Sequence, residues 1–438
     1  MKTLLTGGVV VTCDEQHTIF DTGDVVLEDD RIAFVGARYD GDYDARISVN
    51  GRLLMPGMVN AHTHSGMTIL RSLADDDDLM AFLEQRVWPR EVLLRDDDVR
   101  AGSRLAAVEM LKSGVTTYVD MYFFEEQLAQ AALDAGIRAL ITPTIIGIPI
   151  WEDIRGSWEQ QFTSALEFCQ KWEGRDGRIH TGLGPHAPYT LSLEALQEIA
   201  AGARQSQRPL NIHLVETAQE RDNFNGLGLG STVQAMENIG LFGGPVISAH
   251  SVWIDAGDCE IYHRHSVGVA HCPQSNAKLG AGIAPVTALL NAEVNVGLGT
   301  DGAATNNNLV LWEEMRLAPL LAKVVGRDPK CLPAEVALWM ATRMGGQAIH
   351  MPDIGVLAPG FKADLISVRL DSTASVPVFG PSTYISHIVY SMGPELVDRV
   401  WVNGREVVKD GEVLTLDESE ARQEAQNAAT SLSERALV

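Results

Sequence analysis

Between residues 57 and about 345 the chain alternates short apolar runs with longer helical patterns, and this alternation restricts the fold more than any other feature of the sequence. Short apolar runs separated by helix-length segments specify parallel strands joined by crossover helices. Eight runs qualify: LLMPGMVN (53–60), TTYVD (116–120), RALITPT (138–144), RIHTGLG (178–184), LNIHL (210–214), VISAH (246–250), VGVAH (267–271) and VNVGLGT (294–300). Eight successive βα units predict an α/β chain whose strands close into a (β/α)8 TIM barrel. The segments between them carry helix ends. Asp96 to Asp98 suit the positive start of a helix that stops near Gly114, and Ser192 opens another. Neither that acidic run nor Asp75 to Asp78 has the alternating ligands and glycine turn of a calcium loop, so both read as a solvated loop and a helix start.

The two ends have a different texture. Residues 1 to about 52 read as short alternating strands with Gly and Asp turns, and the same pattern returns past residue 353 in DIGVLAPGFKADLISVRL and ELVDRVWVNGREVVKDGE. The expected division is a catalytic barrel over 56–352 and a small discontinuous β-sandwich-like domain from 1–55 and 353–438. The acidic stretch DESEARQEAQNAATSLSERAL adds a helix to the latter. A chain of 438 residues accommodates a barrel of typical size and this addition.

Composition narrows the setting. With 45% hydrophobic and 21% charged residues and no run of membrane-spanning length, the chain reads as soluble, without a membrane partner. MKTLLTGGVVVTCDEQ is too short in its apolar part and too soon acidic for a signal peptide, which points to the cytoplasm. Five scattered cysteines without a CxxC spacing predict reduced thiols and no thiolate metal site. Acidic residues exceed basic ones by 58 − 34 = 24. Such a surface repels a nucleic-acid backbone but not a single nucleoside, so a small-molecule substrate is expected.

In a parallel barrel the chemistry sits at the C-terminal ends of the strands. The first run ends in His62 and His64, which share a side on an extended backbone. The fourth supplies His186, the fifth His213, the sixth His250, the seventh His271 and the eighth Asp301. One histidine alone is more often structural than a ligand, but a divalent ion needs three or four N or O donors from separate elements. His62, His64, His213 and Asp301 meet that need. Without thiolate, Zn2+ is the first choice of metal, with Fe2+ and Mn2+ as alternatives. Glu216 follows His213 by three residues, just past the strand end, where it can carry protons; otherwise it is a surface glutamate opening the next helix.

The motifs PGMVNAHTHSGM, SGVTTYVDMYF, GPHAPYT, IHLVET, AHSVWI, HCPQSNAKLGAGIAPV and LGTDGAATNNN together resemble the amidohydrolase superfamily. The match runs over nearly the whole length. It is specific for the branch holding methylthioadenosine and S-adenosylhomocysteine deaminases with their nucleobase and triazine relatives. The resemblance implies one catalytic ion held by His62, His64, His213 and Asp301. Binuclear relatives carry a carboxylated lysine after the fourth strand, where GLGPHAPY has none. It also implies that His250 hydrogen-bonds the reacting centre, and that His186 and Glu91 fall where the family contacts the purine ring and the ribose hydroxyls.

The implied reaction is hydrolysis of the 6-amino group of an adenosine derivative. Asp301 takes a proton from water, Glu216 protonates the ring nitrogen, and an inosine product and ammonia result. Relatives that accept S-adenosylhomocysteine hold its carboxylate with arginines after the third strand. Here Thr142-Pro143-Thr144 follows, and Arg155 is the only local candidate. That favours 5′-methylthioadenosine, adenosine or 5′-deoxyadenosine, with IIGIPIW as apolar surface for the 5′ end. A triazine hydrolase of the same fold is the rival, and a non-catalytic relative is disfavoured by the full ligand set. The PCxxC element of thiolate zinc deaminases is absent, since Cys272-Pro273 is followed by Gln274 with no second cysteine. Homo-oligomers are common in the family, although no interface residue stands out in the sequence.

Overall fold

The eight strands form in the computed structural model, which describes residues 1–224 and 228–437. They are Met58–Thr63, Val115–Asp120, Arg138–Ile141, Ile179–Thr181, Leu210–Leu214, Val246–His250, Gly268–His271 and Val296–Leu298. Neighbours pair in parallel around the sheet, and the eighth returns to the first through Leu298 opposite Asn60. Closure between the fourth and fifth strands falls to Leu183, which bridges Leu210. Leu183 N–H donates to Pro209 O and Asn211 N–H to Leu183 O, both at 2.9 Å. Strands covered on both faces can be apolar without alternation, and all six residues of the first strand are buried.

Several of the expected runs are shorter or divided: 178–184 keeps only Ile179–Thr181 in the barrel, and 294–300 only Val296–Leu298. The run 53–60 contains parts of two strands: Arg52–Pro56 joins the outer sheet, and the barrel starts at Met58. Gly57 marks the break, because a Cβ there would lie 2.1 Å from Thr116 Oγ1. The run 138–144 ends as a barrel strand at Ile141, and past Pro143, which has no N–H to give, Thr144–Ile145 pairs separately with Gly184–Pro185. This small ladder raises the barrel wall over the site.

The two chain ends meet in a nine-stranded sheet. Arg52–Pro56 runs parallel to Lys2–Val11 and antiparallel to Leu365–Arg369, with Met55 opposite Ile366. Leu5, Val25, Leu27, Ile32, Leu54, Leu365 and Trp401 give this sheet a core of its own. A buried ion pair fastens it to the barrel. Arg138 donates to Asp364 from Nε at 2.7 Å and from Nη2 at 3.1 Å, with both side chains only 1% exposed.

The C-terminal helix, Glu418–Arg435, forms as expected but lies against barrel helix Asp96–Lys112. Ion pairs from Arg104 to Glu420 and Glu424 and from Arg435 to Asp98 hold it there. Asp96 to Asp98 form the first turn of that barrel helix, while Asp75 pairs with Lys278 and Asp77 with Arg86. Among the described residues no helix is long and apolar enough to cross a membrane.

Candidate metal centre and substrate pocket

The strand ends bring His62, His64, His213 and Asp301 together, with one ligand atom from each lying within 4.8 Å of the others. His64 Nε2 stands 3.1 Å from Asp301 Oδ1 and 3.3 Å from His213 Nε2, and His62 Nε2 is 3.6 Å from the same carboxylate oxygen. Backbone carbonyls set the tautomers. Nδ1 of His213 donates to His186 O at 2.8 Å, and Nδ1 of His64 donates to Met121 O. A carbonyl can only accept, so Nδ1 keeps its proton in both rings and Nε2 is the ligand atom turned toward the shared centre. Asp301 Oδ2 accepts from Ser275 at 2.6 Å and Thr305 at 3.0 Å, which leaves Oδ1 facing the imidazoles.

His62 gives the test of fit. It is 0% exposed, and among the described residues neither ring nitrogen has a hydrogen-bond partner. Buried polar atoms are rarely orphaned, and an ion at this centre supplies the missing partner. Burial pushes His62 down to about 4 and His213 well below the usual histidine range, so both present neutral rings. Burial also acts against charge on His64, but Asp301 and Met121 O outweigh it and raise His64 to about 9, so a cation binding here displaces a proton from His64 Nε2. For Asp301 burial favours the acid, yet the facing imidazoles prevail and hold it well below the carboxylate range. Three imidazoles and one carboxylate without a thiolate therefore suit one divalent cation.

Glu216 and His250 face each other beside this centre, Oε2 to Nε2 at 3.8 Å. Burial raises the Glu216 carboxyl, partly offset by His250. His250 Nδ1–H donates to Asn276 Oδ1 at 2.9 Å, which directs Nε2 to Glu216. Four residues at these strand ends take positive φ: Val215 (53°), His250 (72°), Ser251 (50°) and Asp301 (60°). Such strain gathers where side chains must be aimed at a site.

Above the centre a pocket opens to solvent. His64, His213, Asp301, Glu216 and His250 line its floor, with His186 and Glu91 in the wall. Tyr122 donates its hydroxyl to Glu91 at 2.6 Å, and burial holds His186 neutral, down to about 3. Among the described residues no lysine or arginine lines the pocket. Arg155 stacks on Phe123 and Phe124, 4.4 and 4.2 Å from the ring centroids, outside the lining. Of IIGIPIW only Ile146 reaches the pocket, while Trp151 is buried against Phe123 at 4.3 Å. His271 stays in the barrel interior, also outside the lining.

The apolar wall comes from a stretch that the sequence reading passed over. Leu79, Phe82, Leu83, Val87 and Trp88 line the pocket, and Phe82–Val87 forms a π-helical turn. Its signal is the spacing of Leu79, Phe82 and Leu83, which runs on into VWPRE, where Val87, Trp88 and Glu91 sit. Ser275, Thr305 and Asn276, which hold Asp301 and His250, lie within motifs already singled out, and hydrogen bonding alone reveals their part.

The amidohydrolase family model matches residues 53–407. The chain is 42% identical over 439 residues to 5-methylthioadenosine/S-adenosylhomocysteine deaminase of Pelotomaculum thermopropionicum, covering 99% of each protein. It is 40% identical over 430 residues to 5′-deoxyadenosine deaminase of Methanosarcina mazei, covering 98% of each. Among solved structures it matches an adenosine deaminase from Xanthomonas campestris with bound zinc, at a TM-score of 0.93 and 32% identity, over 99% of this chain and 98% of that one. A zinc complex of atrazine chlorohydrolase from Arthrobacter aurescens gives a TM-score of 0.90 at 24% identity over 98% and 100% of the two chains, a likeness of fold alone.

Proposed function

The chain belongs to the amidohydrolase family, and from that premise we propose that it is a hydrolytic deaminase of adenosine derivatives. The reaction replaces the 6-amino group by oxygen from water, giving an inosine-type product and ammonia. One observation carries the reading: the four converging ligand atoms share the floor of a pocket with the facing pair Glu216 and His250.

His62, His64, His213 and Asp301 hold one divalent ion, with Zn2+ ahead of Fe2+ and Mn2+ because the similar adenosine deaminase carries zinc. When bound, the ion supplies the Lewis acidity that makes hydroxide available near neutral pH. Asp301 accepts the proton of the attacking water. Glu216, whose burial eases protonation, delivers a proton to the ring nitrogen beside the reacting carbon and so limits negative charge on the ring. His250, anchored by Asn276, hydrogen-bonds the reacting centre through Nε2. The neutral His186 meets the purine, and Glu91, fixed by Tyr122, meets the ribose hydroxyls.

The apolar wall suits a short 5′ end, as in 5′-methylthioadenosine, 5′-deoxyadenosine or adenosine. A carboxylate on the longer tail of S-adenosylhomocysteine has Arg155 as its local cation, whose guanidinium stacks on Phe123 and Phe124 and is not among the lining residues. The reading places the enzyme in the cytoplasm, acting on free nucleosides without a nucleic-acid or membrane partner, as the formal charge of −24 favours. A homo-oligomer would leave this site complete within each chain.

The test is release of ammonia by metal-loaded enzyme from these four nucleosides, and of ammonia or chloride from amino- and chlorotriazines. Turnover of the short-tailed nucleosides is expected. Turnover of triazines alone would replace the reading with its rival.

A further inference from the structure

We propose that Glu220 is the positioning residue for Glu216, through the backbone that presents it. Glu220 lies in the short helix Ala218–Arg221, buried and outside the pocket lining, so it is not placed to touch a substrate. Its two carboxylate oxygens take two successive backbone donors. Oε1 accepts from Val215 N–H at 2.8 Å and Oε2 from Glu216 N–H at 3.0 Å.

Those donors belong to the turn on which Glu216 depends. Strand Leu210–Leu214 ends there, and Val215 enters the left-handed region at φ 53°, a conformation that β-branched residues resist. The turn persists because its polar groups are engaged on both sides. Val215 O accepts from Val252 N–H at 2.9 Å and Trp253 N–H at 3.0 Å, and Leu214 O accepts from Ser251 N–H at 3.0 Å. These three donors follow His250 directly. One side of the turn is thus tied to the loop that bears His250, and the other side is tied to Glu220.

The 3.8 Å approach of Glu216 to His250 depends on both attachments. Two buried N–H groups one residue apart need two acceptor atoms, which a carboxylate offers and an amide does not. Thr232 donates its hydroxyl to Glu220 O and so secures the helix itself. The arrangement keeps a second carboxyl close to Glu216 despite burial, which raises Glu220 to about 7.

The proposal rests on Glu216 as the proton carrier, and the experiment separates the two claims. Glu220→Gln, Glu216→Gln and the double variant are compared for kcat, KM and metal content. Displacing a reacting group by about 1 Å costs on the order of 10²-fold, so kcat of E220Q is expected to fall about 10- to 100-fold, with KM within about threefold and full metal occupancy. Because Glu220 acts through Glu216, the double variant should be no slower than E216Q. Wild-type kcat in E220Q at full metal occupancy, or losses that multiply in the double variant, would overturn the proposal while leaving Glu216 in place. Wild-type kcat in E216Q would remove the proton carrier and this proposal together. Should E220Q not fold, Glu220→Asp, which keeps the charge but falls one methylene short, is read by the same criteria.

Discussion

Replacing Glu216 with glutamine removes the acid and leaves a side chain of nearly the same shape. The carboxyl is buried, its Oε2 lies 3.8 Å from His250 Nε2, and among the described residues no lysine or arginine pairs with it. Of the other carboxyls lining the pocket, Asp301 is committed to the imidazoles and Glu91 to Tyr122, so neither substitutes for it. A positioned general acid contributes about 10²- to 10⁴-fold. Without a replacement nearby, a loss of about 10³-fold in kcat is expected, equal to about 4 kcal/mol of barrier at about 1.36 kcal/mol per tenfold. Metal should stay bound, because Glu216 is not among the four converging ligands. Steady-state ammonia release gives kcat and KM, and atomic emission gives the metal content. A kcat within about threefold of wild type would refute the assignment, as would loss of the metal together with the activity, which would make Glu216 a ligand.

Three other variants probe separate parts of the account. His213→Ala deletes a ligand, so metal content by atomic emission and ammonia release should both collapse; retention of either contradicts the ligand set. Asp364→Ala strands the buried Arg138 guanidinium at a cost of about 3–5 kcal/mol. With an unfolding entropy of about 2.1 cal/mol/K per residue, calorimetry of the loaded protein should show Tm lower by about 3–5 °C; an unchanged Tm would mean that the pair does not fasten the sheet to the barrel. Glu314 is raised to about 8 by burial, against the hydrogen bonds from Gln274 and Asn306. The folded state therefore keeps a proton that the unfolded state loses from about pH 4.5 upward, and stability falls as pH rises from there to about 8, by roughly 5 kcal/mol at most. Glu314→Gln, which offers one acceptor where the carboxylate offers two, should lack that fall in denaturant titrations; a curve parallel to wild type would contradict it.

Much of this molecule can be read from its residues because buried parallel strands leave short apolar runs, and the barrel turns their ends into one rim. His62, His64, His213, Glu216, His250 and Asp301 could be placed there before any coordinates. Apolarity does not say which sheet a strand joins, so Leu53 to Met55 look continuous with the barrel run although they pair with Leu365–Arg369. The C-terminal helix was legible, but its seat was not, since Arg104 meets Glu420 across more than 300 residues of chain. A sequence does not show that the Arg155 guanidinium stacks on Phe123 and Phe124. Glu220 left no trace at all. A side chain that serves two backbone N–H groups has no pattern in its neighbours.

The most direct measurement is the fate of 5′-methylthioadenosine with metal-loaded enzyme in ¹⁸O-labelled water, following ammonia and the product mass. The account predicts one ammonia released per purine and one solvent oxygen at C6, with both lost when the metal is removed by a chelator and regained on adding Zn2+. No ammonia from this or any other short-tailed adenosine derivative, while a chlorotriazine exchanges its chloride for solvent oxygen, would contradict it.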